Sequence, residues 1–158
     1  MRILVFSDTH NYLEGCIKTI NNIIGVDMII HAGDHASDAE DLKKMFPDID
    51  VRYVKGNCDI STAPAELLIE AGGKKIFVTH GHLFGVKSDS QYSKLISEAK
   101  KLGADIAVFG HTHISCCKKI DEFYLLNPGS IKYSQTFGVI EVEDGKLGAD
   151  ILSCNHIM

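Results

Sequence analysis

A layered α/β sandwich is the fold class the sequence predicts, and three observations predict it. Strand-like and helix-like stretches alternate over residues 2 to 55, the pattern of βαβ units with parallel pairing. A Gly72-Gly73 pair then separates two apolar runs, the signal of a two-residue hairpin. Beyond residue 113 the chain reads as strand alone. Two sheets packed together with helices outside would bury this much strand.

The elements follow in order. Arg2 to Phe6 is the first strand. Leu13, Ile17, Ile20 and Ile24 recur at spacings of four, three and four, one face of a helix that ends near Gly25. Met28-Ile29-Ile30 is the second strand. A second helix starts at Ser37, with Glu40 three residues on as a capping box. It runs through Leu42, Met45 and Phe46 and is closed by Pro47. Val51 to Val54 is the third strand, and Glu66 to Ala71 with Lys74 to Thr79 form the hairpin. The third helix starts at Ser88, with Gln91 as its capping-box partner. It carries Leu95, Ile96, Ala99 and Leu102 and ends at a Gly103 cap. Ile106 to Phe109 leads into four further segments: Ser115 to Ile120, Phe123 to Leu126, Phe137 to Glu143 and Lys146 to Leu152. Asp144-Gly145 is the tight turn between the last two. No repeat or linker divides the chain, so residues 1–158 read as a single domain.

A chain of 158 residues is long enough to bury a core. Its 45% hydrophobic and 23% charged content is that of a soluble globular protein. A net charge of -5 gives no basic field for nucleic-acid backbones, and no aromatic-basic stripe suits extended nucleic acid. No apolar run reaches the length of a membrane span, and the N-terminus lacks a signal-peptide layout. The expectation is a cytoplasmic protein with no membrane partner; whether it forms a homo-oligomer is left open. Five cysteines, odd in number and without a C-x-x-C pair, argue against a disulfide framework and a zinc ribbon.

Five polar clusters close five apolar runs. They are Asp8-Thr9-His10, Gly33-Asp34, Gly56-Asn57-Cys58-Asp59, His80-Gly81-His82 and Gly110-His111-Thr112-His113. Ligands gather beyond the carboxyl ends of strands in α/β sheets, so one edge would collect all five. With extended backbone, Asp8 and His10 point the same way, as do His111 and His113. Asp34 offers two oxygens that can bridge two ions, Asn57 an amide oxygen and His80 an imidazole. Gly33 permits a sharp turn and close backbone approach. Two carboxylates with neutral His and Asn ligands leave two divalent ions about +2 uncompensated, a match for a bridging hydroxide and a phosphodiester anion. Two metals can acidify bound water and clamp the oxygens of an in-line displacement. His31, His35 and His156 are read as ordinary core or surface residues.

In order and spacing these clusters resemble the calcineurin-like metallophosphoesterases, whose pattern is D-x-H, G-D, G-N-H-[DE], a later His often within H-G-H, and G-H-x-H. The resemblance spans residues 6 to 113 and extends to Asn127-Pro128-Gly129-Ser130, similar to a stretch common in small members. Length and the G-N-C-D variant are closest to the compact prokaryotic phosphodiesterase branch. The resemblance implies a four-layer αββα sandwich with two mixed β-sheets, the metallo-dependent phosphatase fold. It implies a metal-dependent phosphodiesterase acting on a small phosphodiester substrate. Asp8, His10, Asp34 and His113 would hold one metal, and Asp34, Asn57, His80 and His111 the other. Asn57 would also touch a phosphate oxygen. The mixed O and N donors favour Mn²⁺, Fe, Ni²⁺ or Zn²⁺ over Mg²⁺ without choosing among them; two divalent ions are expected, with Mn²⁺ the first candidate.

Cys58 departs from the pattern, standing where many members carry the His credited with protonating the leaving oxygen. A thiol is a poorer acid for that task near neutral pH, so good leaving groups should be preferred. Cys58 and His82 are candidate substrate contacts, and His82 is a candidate substitute proton donor. Two other functions compete: a retromer-subunit-like binding scaffold of the same fold, and a nuclease acting on short or single-stranded ends.

Overall fold

The computed structural model describes residues 1–157. The N-terminal third alternates β1 (Arg2–Phe6), α1 (Leu13–Asn22), β2 (Met28–His31), α2 (Ala36–Met45) and β3 (Asp50–Tyr53). β1, β2 and β3 pair in parallel, with Ile3 opposite Met28 and Ile29 opposite Val51. β4 (Glu66–Ala71) and β5 (Lys74–Thr79) form the expected hairpin. Then come α3 (Ser93–Lys101), β6 (Ile106–Val108), β7 (Cys116–Ile120), β8 (Phe123–Asn127), β9 (Thr136–Glu143) and β10 (Lys146–Ser153). The strands make two mixed five-stranded sheets, ordered β10-β9-β1-β2-β3 and β4-β5-β6-β8-β7.

Alternation along the strands sets the layers. Ile3, Val5, Met28 and Ile30 of the first sheet share one buried cluster with Ile69, Ile76, Val78, Ile106 and Val108 of the second. The residues between them turn outward. Leu4, Phe6, Ile29 and Val51 meet Cys16 and Ile20 of α1 and Leu42 of α2, while Phe77, Ala107 and Leu125 meet Leu95 and Ala99 of α3. The order helix, sheet, sheet, helix is the four-layer sandwich. No described helix is long and apolar enough to cross a membrane.

Helix ends differ from expectation. α1 stops at Asn22, and Ile24 is 87% exposed instead of completing the helical face. Ser37 lies inside α2 and caps nothing; His35 occupies the cap position without a side-chain bond. The carboxylate of Asp59, from the loop after β3, accepts the N–H groups of His35 and Ala36 at 2.8 and 3.0 Å. α3 starts at Ser93, not Ser88, because Asp89 accepts the N–H groups of Gln91 and Ser93 at 3.0 and 2.8 Å. A carboxylate with two free oxygens outcompetes the Ser88 hydroxyl, which donates to Gly85 O.

Parallel pairing puts the ends of β1, β2 and β3 on one edge, and parallel β5, β6 and β8 do the same in the second sheet. The five polar clusters follow β1, β2, β3, β5 and β6.

Candidate metal centre

The loops that carry the donors are not extended. Asp8, His10, Asp34, His111 and His113 have φ of 54°, 43°, 59°, 71° and 61°. This left-handed region is uncommon for residues other than glycine and costs about 1–3 kcal/mol for each. Extended backbone at Asp8-Thr9-His10 and His111-Thr112-His113 is therefore corrected, and the physical reason is the anchoring around them. Asp8 N–H donates to Gly33 O at 3.0 Å, and Asp8 O accepts the Ser130 hydroxyl at 2.8 Å. Asp8 Oδ2 accepts the Ser7 hydroxyl at 2.6 Å and the His111 N–H at 3.1 Å. Asn127 Nδ2 holds the other loop, donating to Gly110 O and Thr112 Oγ1 at 3.0 Å each. Packing here leaves no room for side chains at two glycines. A Cβ on Gly33 would lie 2.8 Å from His80 Nδ1, and one on Gly110 would lie 2.7 Å from Asp8 Oδ2.

The donors gather into two groups that share Asp8. Within each group, one ligand atom per residue lies within 4.8 Å of the others. The inner group is Asp8, Asp34 and His80, all buried. His80 Nε2 is 3.4 Å from Asp34 Oδ2 and 3.8 Å from Asp8 Oδ1. His80 Nδ1 lies 2.7 Å from Ala32 O, so it carries the proton donated there and turns Nε2 to the site. Asp34 Oδ1 accepts the Cys58 N–H at 3.0 Å, leaving Oδ2 for His80. Burial alone would raise Asp34, but the closeness of the His80 imidazole overrides this and holds the carboxyl below its usual range. His80 is the mirror case: burial would lower it, and the Asp34 and Asp8 carboxylates raise it.

The outer group is Asp8, His10 and His113, the two imidazoles being partly exposed. His113 Nε2 lies 3.2 Å from Asp8 Oδ1. Tyr133 stacks on His113, with ring centroids 5.4 Å apart and planes 20° apart, and sits 5.6 Å from His10. Burial lowers His10 below an ordinary imidazole.

Asp8 Oδ1, His10 Nε2 and His80 Nε2 are buried with no hydrogen-bond partner. Buried polar atoms are rarely left so, and a free carboxylate oxygen with an imidazole nitrogen in each group fits divalent cations. The resemblance makes Asp34 the shared carboxylate, whereas the side chains put Asp8 in both groups. The remaining expected donors lie around these. The His111 ring is 5.0 Å from that of His80, and burial with nearby His80 lowers it to about 4. His82 lies 5.5 Å from His80 and 6.1 Å from His111, lowered by burial, with a buried, unpartnered Nδ1. Asn57 is exposed and its Nδ2 is 3.6 Å from Cys58 Sγ. Burial and the Asp34 carboxylate push the Cys58 thiol up, so it keeps its proton.

Several supports were not singled out in the sequence. Asp59 accepts N–H groups from Asp34 (3.1 Å), His35 (2.8 Å), Ala36 (3.0 Å) and Gly56 (2.7 Å), tying two donor loops together. Its place within Gly56-Asn57-Cys58-Asp59 was the available signal. A buried chain runs behind the first loop: Gly33 N–H to His31 Nδ1 at 3.2 Å, His31 Nε2 to Thr9 Oγ1 at 3.0 Å, and Thr9 O–H to Asp38 Oδ2 at 2.6 Å. His31 is thus a satisfied core residue, lowered by burial to about 4. His156 is exposed.

Residues 1–145 match the model of the calcineurin-like phosphoesterase superfamily domain. A probable metallophosphoesterase of Bacillus subtilis is 35% identical over 153 residues, covering 91% of this chain and 86% of that protein. A phosphodiesterase of Methanocaldococcus jannaschii is 26% identical over 167 residues, covering 90% and 94%. Among solved structures, a predicted phosphoesterase from Streptococcus pneumoniae superposes with a TM-score of 0.77 at 30% identity, covering 98% of this chain and 90% of that one. Zinc-complexed Vps29 from Entamoeba histolytica gives 0.74 at 22%, covering 98% and 100%, a likeness of fold.

Proposed function

Because the chain belongs to the calcineurin-like phosphoesterase superfamily, we propose that it is a phosphodiesterase whose two donor groups hold a pair of divalent cations, Mn²⁺ foremost. The observation that carries this reading is Asp8 Oδ1, buried, without a hydrogen-bond partner and facing His80 Nε2 at 3.8 Å in one group and His113 Nε2 at 3.2 Å in the other. Two such cations, when bound, supply an acidified water and positive charge against the phosphate oxygens.

The chain's own residues do the positioning. Ser7 and the His111 N–H occupy Asp8 Oδ2 and leave Oδ1 to the site. Ala32 O fixes the His80 ring. His82, beside His80 and His111, offers a hydrogen bond to a phosphate oxygen, and Asn57 reaches the substrate from the exposed rim. Cys58 holds its proton tightly, which favours diesters with good leaving groups.

The test is calorimetric titration of metal-stripped protein with each candidate ion, followed by hydrolysis of bis(p-nitrophenyl) phosphate and p-nitrophenyl phosphate. The expected result is two Mn²⁺ per chain and faster diester than monoester turnover. Absence of both binding and turnover would instead support a partner-binding scaffold.

A further inference from the structure

A cavity of about 560 Å³ opens beside the metal centre, between the start of α2 and the loop after β3. It meets the centre at two points. The His35 ring on its wall is 5.1 Å from the ring of His10. Cys58, also on its wall, gives its N–H to Asp34 Oδ1 at 3.0 Å. A substituent on a phosphorus atom held at the centre therefore has this space within reach.

The wall is acidic, with no Lys or Arg in its lining. Its two carboxylates differ. Asp59 is saturated by the four N–H groups described above. Glu40 has only the Tyr53 hydroxyl, at 3.4 Å, and no cationic partner among the described residues. Lys44, one turn along α2, pairs with Asp41 at 3.6 Å instead. Glu40 is thus an exposed carboxylate with no cation paired to it, beside Ile60 and the Ser37, Ser61 and Thr62 hydroxyls, and Asp59 adds a second negative charge to the wall. Cations act elsewhere: the charges of Lys55 and Lys87 bear on His82 and His111.

We propose that this cavity holds one of the two alcohol substituents of the phosphodiester, and that Glu40 selects a substituent that is uncharged or carries an ammonium over one bearing an extra carboxylate or phosphate. The inference rests on the phosphodiesterase reading and narrows its substrate class. A charge at this range in partly hydrated surroundings is worth about a fivefold preference.

The experiment compares three p-nitrophenyl phosphodiesters whose second alcohol is choline, its uncharged isostere 3,3-dimethylbutanol, or 3-hydroxypropionate. With Mn²⁺-loaded protein, kcat/KM should favour choline over the carboxylate by about fivefold or more. Glu40→Gln should narrow that spread and Glu40→Lys should reverse it. Equal rates on all three esters, or a spread unchanged in both variants, overturns the proposal. If wild-type protein turns over no diester with any metal, the phosphodiesterase reading fails separately. Calorimetry with phosphocholine and 3-phosphopropionate then decides the cavity: a phosphocholine preference lost in Glu40→Lys supports it, and equal binding overturns it.

Discussion

The inner and outer donor groups share Asp8 but are held by different physics. Inner His80 and Asp34 are each tied by a backbone hydrogen bond, to Ala32 O and from the Cys58 N–H, and both are buried. Outer His10 and His113 are partly exposed and packed against Tyr133, itself 62% exposed. Hydrogen bonds fix a ring's direction, while stacking fixes its plane and leaves it freer to move. The difference predicts a tight, slowly exchanging inner metal and a weaker, more exchangeable outer one.

The shared carboxylate offers the strongest way to break the comparison. Asp8→Ala should abolish binding of both Mn²⁺ ions by calorimetry and lower diester hydrolysis about a thousandfold; one retained tight ion would show that the groups are independent. Acid should separate them next. His31, beneath the outer loop, falls from 6.5 to about 4 through burial. A depressed folded pKa makes its contribution complete above pH 6.5 and lost as the pH drops towards 4, on the order of 3 kcal/mol. Thermal unfolding of wild-type protein should therefore fall between pH 6.5 and 4 more steeply than that of His31→Gln; parallel curves would remove His31 from the account. Tyr133→Ala should weaken only the second, looser Mn²⁺ event, by about threefold to tenfold. Equal weakening of both events would erase the distinction. Cys58→His should have the smallest effect, raising turnover of esters with poorer leaving groups by about threefold with metal stoichiometry unchanged.

Strands were readable because burial on both faces writes itself as apolar runs such as Ile3-Leu4-Val5-Phe6 and Met28-Ile29-Ile30. The donor clusters were readable for the related reason that each terminates such a run. Helix starts were not, since the groups capping them are set by tertiary placement: Asp59 reaches α2 from beyond β3, and Asp89 displaces Ser88. The left-handed turns at Asp8, His10, His111 and His113 were equally hidden. Asp and His tolerate this region better than most residues, but contacts from Ser130 and Asn127, more than a dozen residues away along the chain, help to hold the loops there. Glu40 shows the opposite failure, a residue assigned to a cap that instead lines a cavity.

The antiparallel turns between β4 and β5, β7 and β8, and β9 and β10 all lie opposite the edge that bears the donors. That polarity makes the Asp144-Gly145 tip a natural handle: a fluorophore or surface tether attached there would leave the chemistry facing freely into bulk solution.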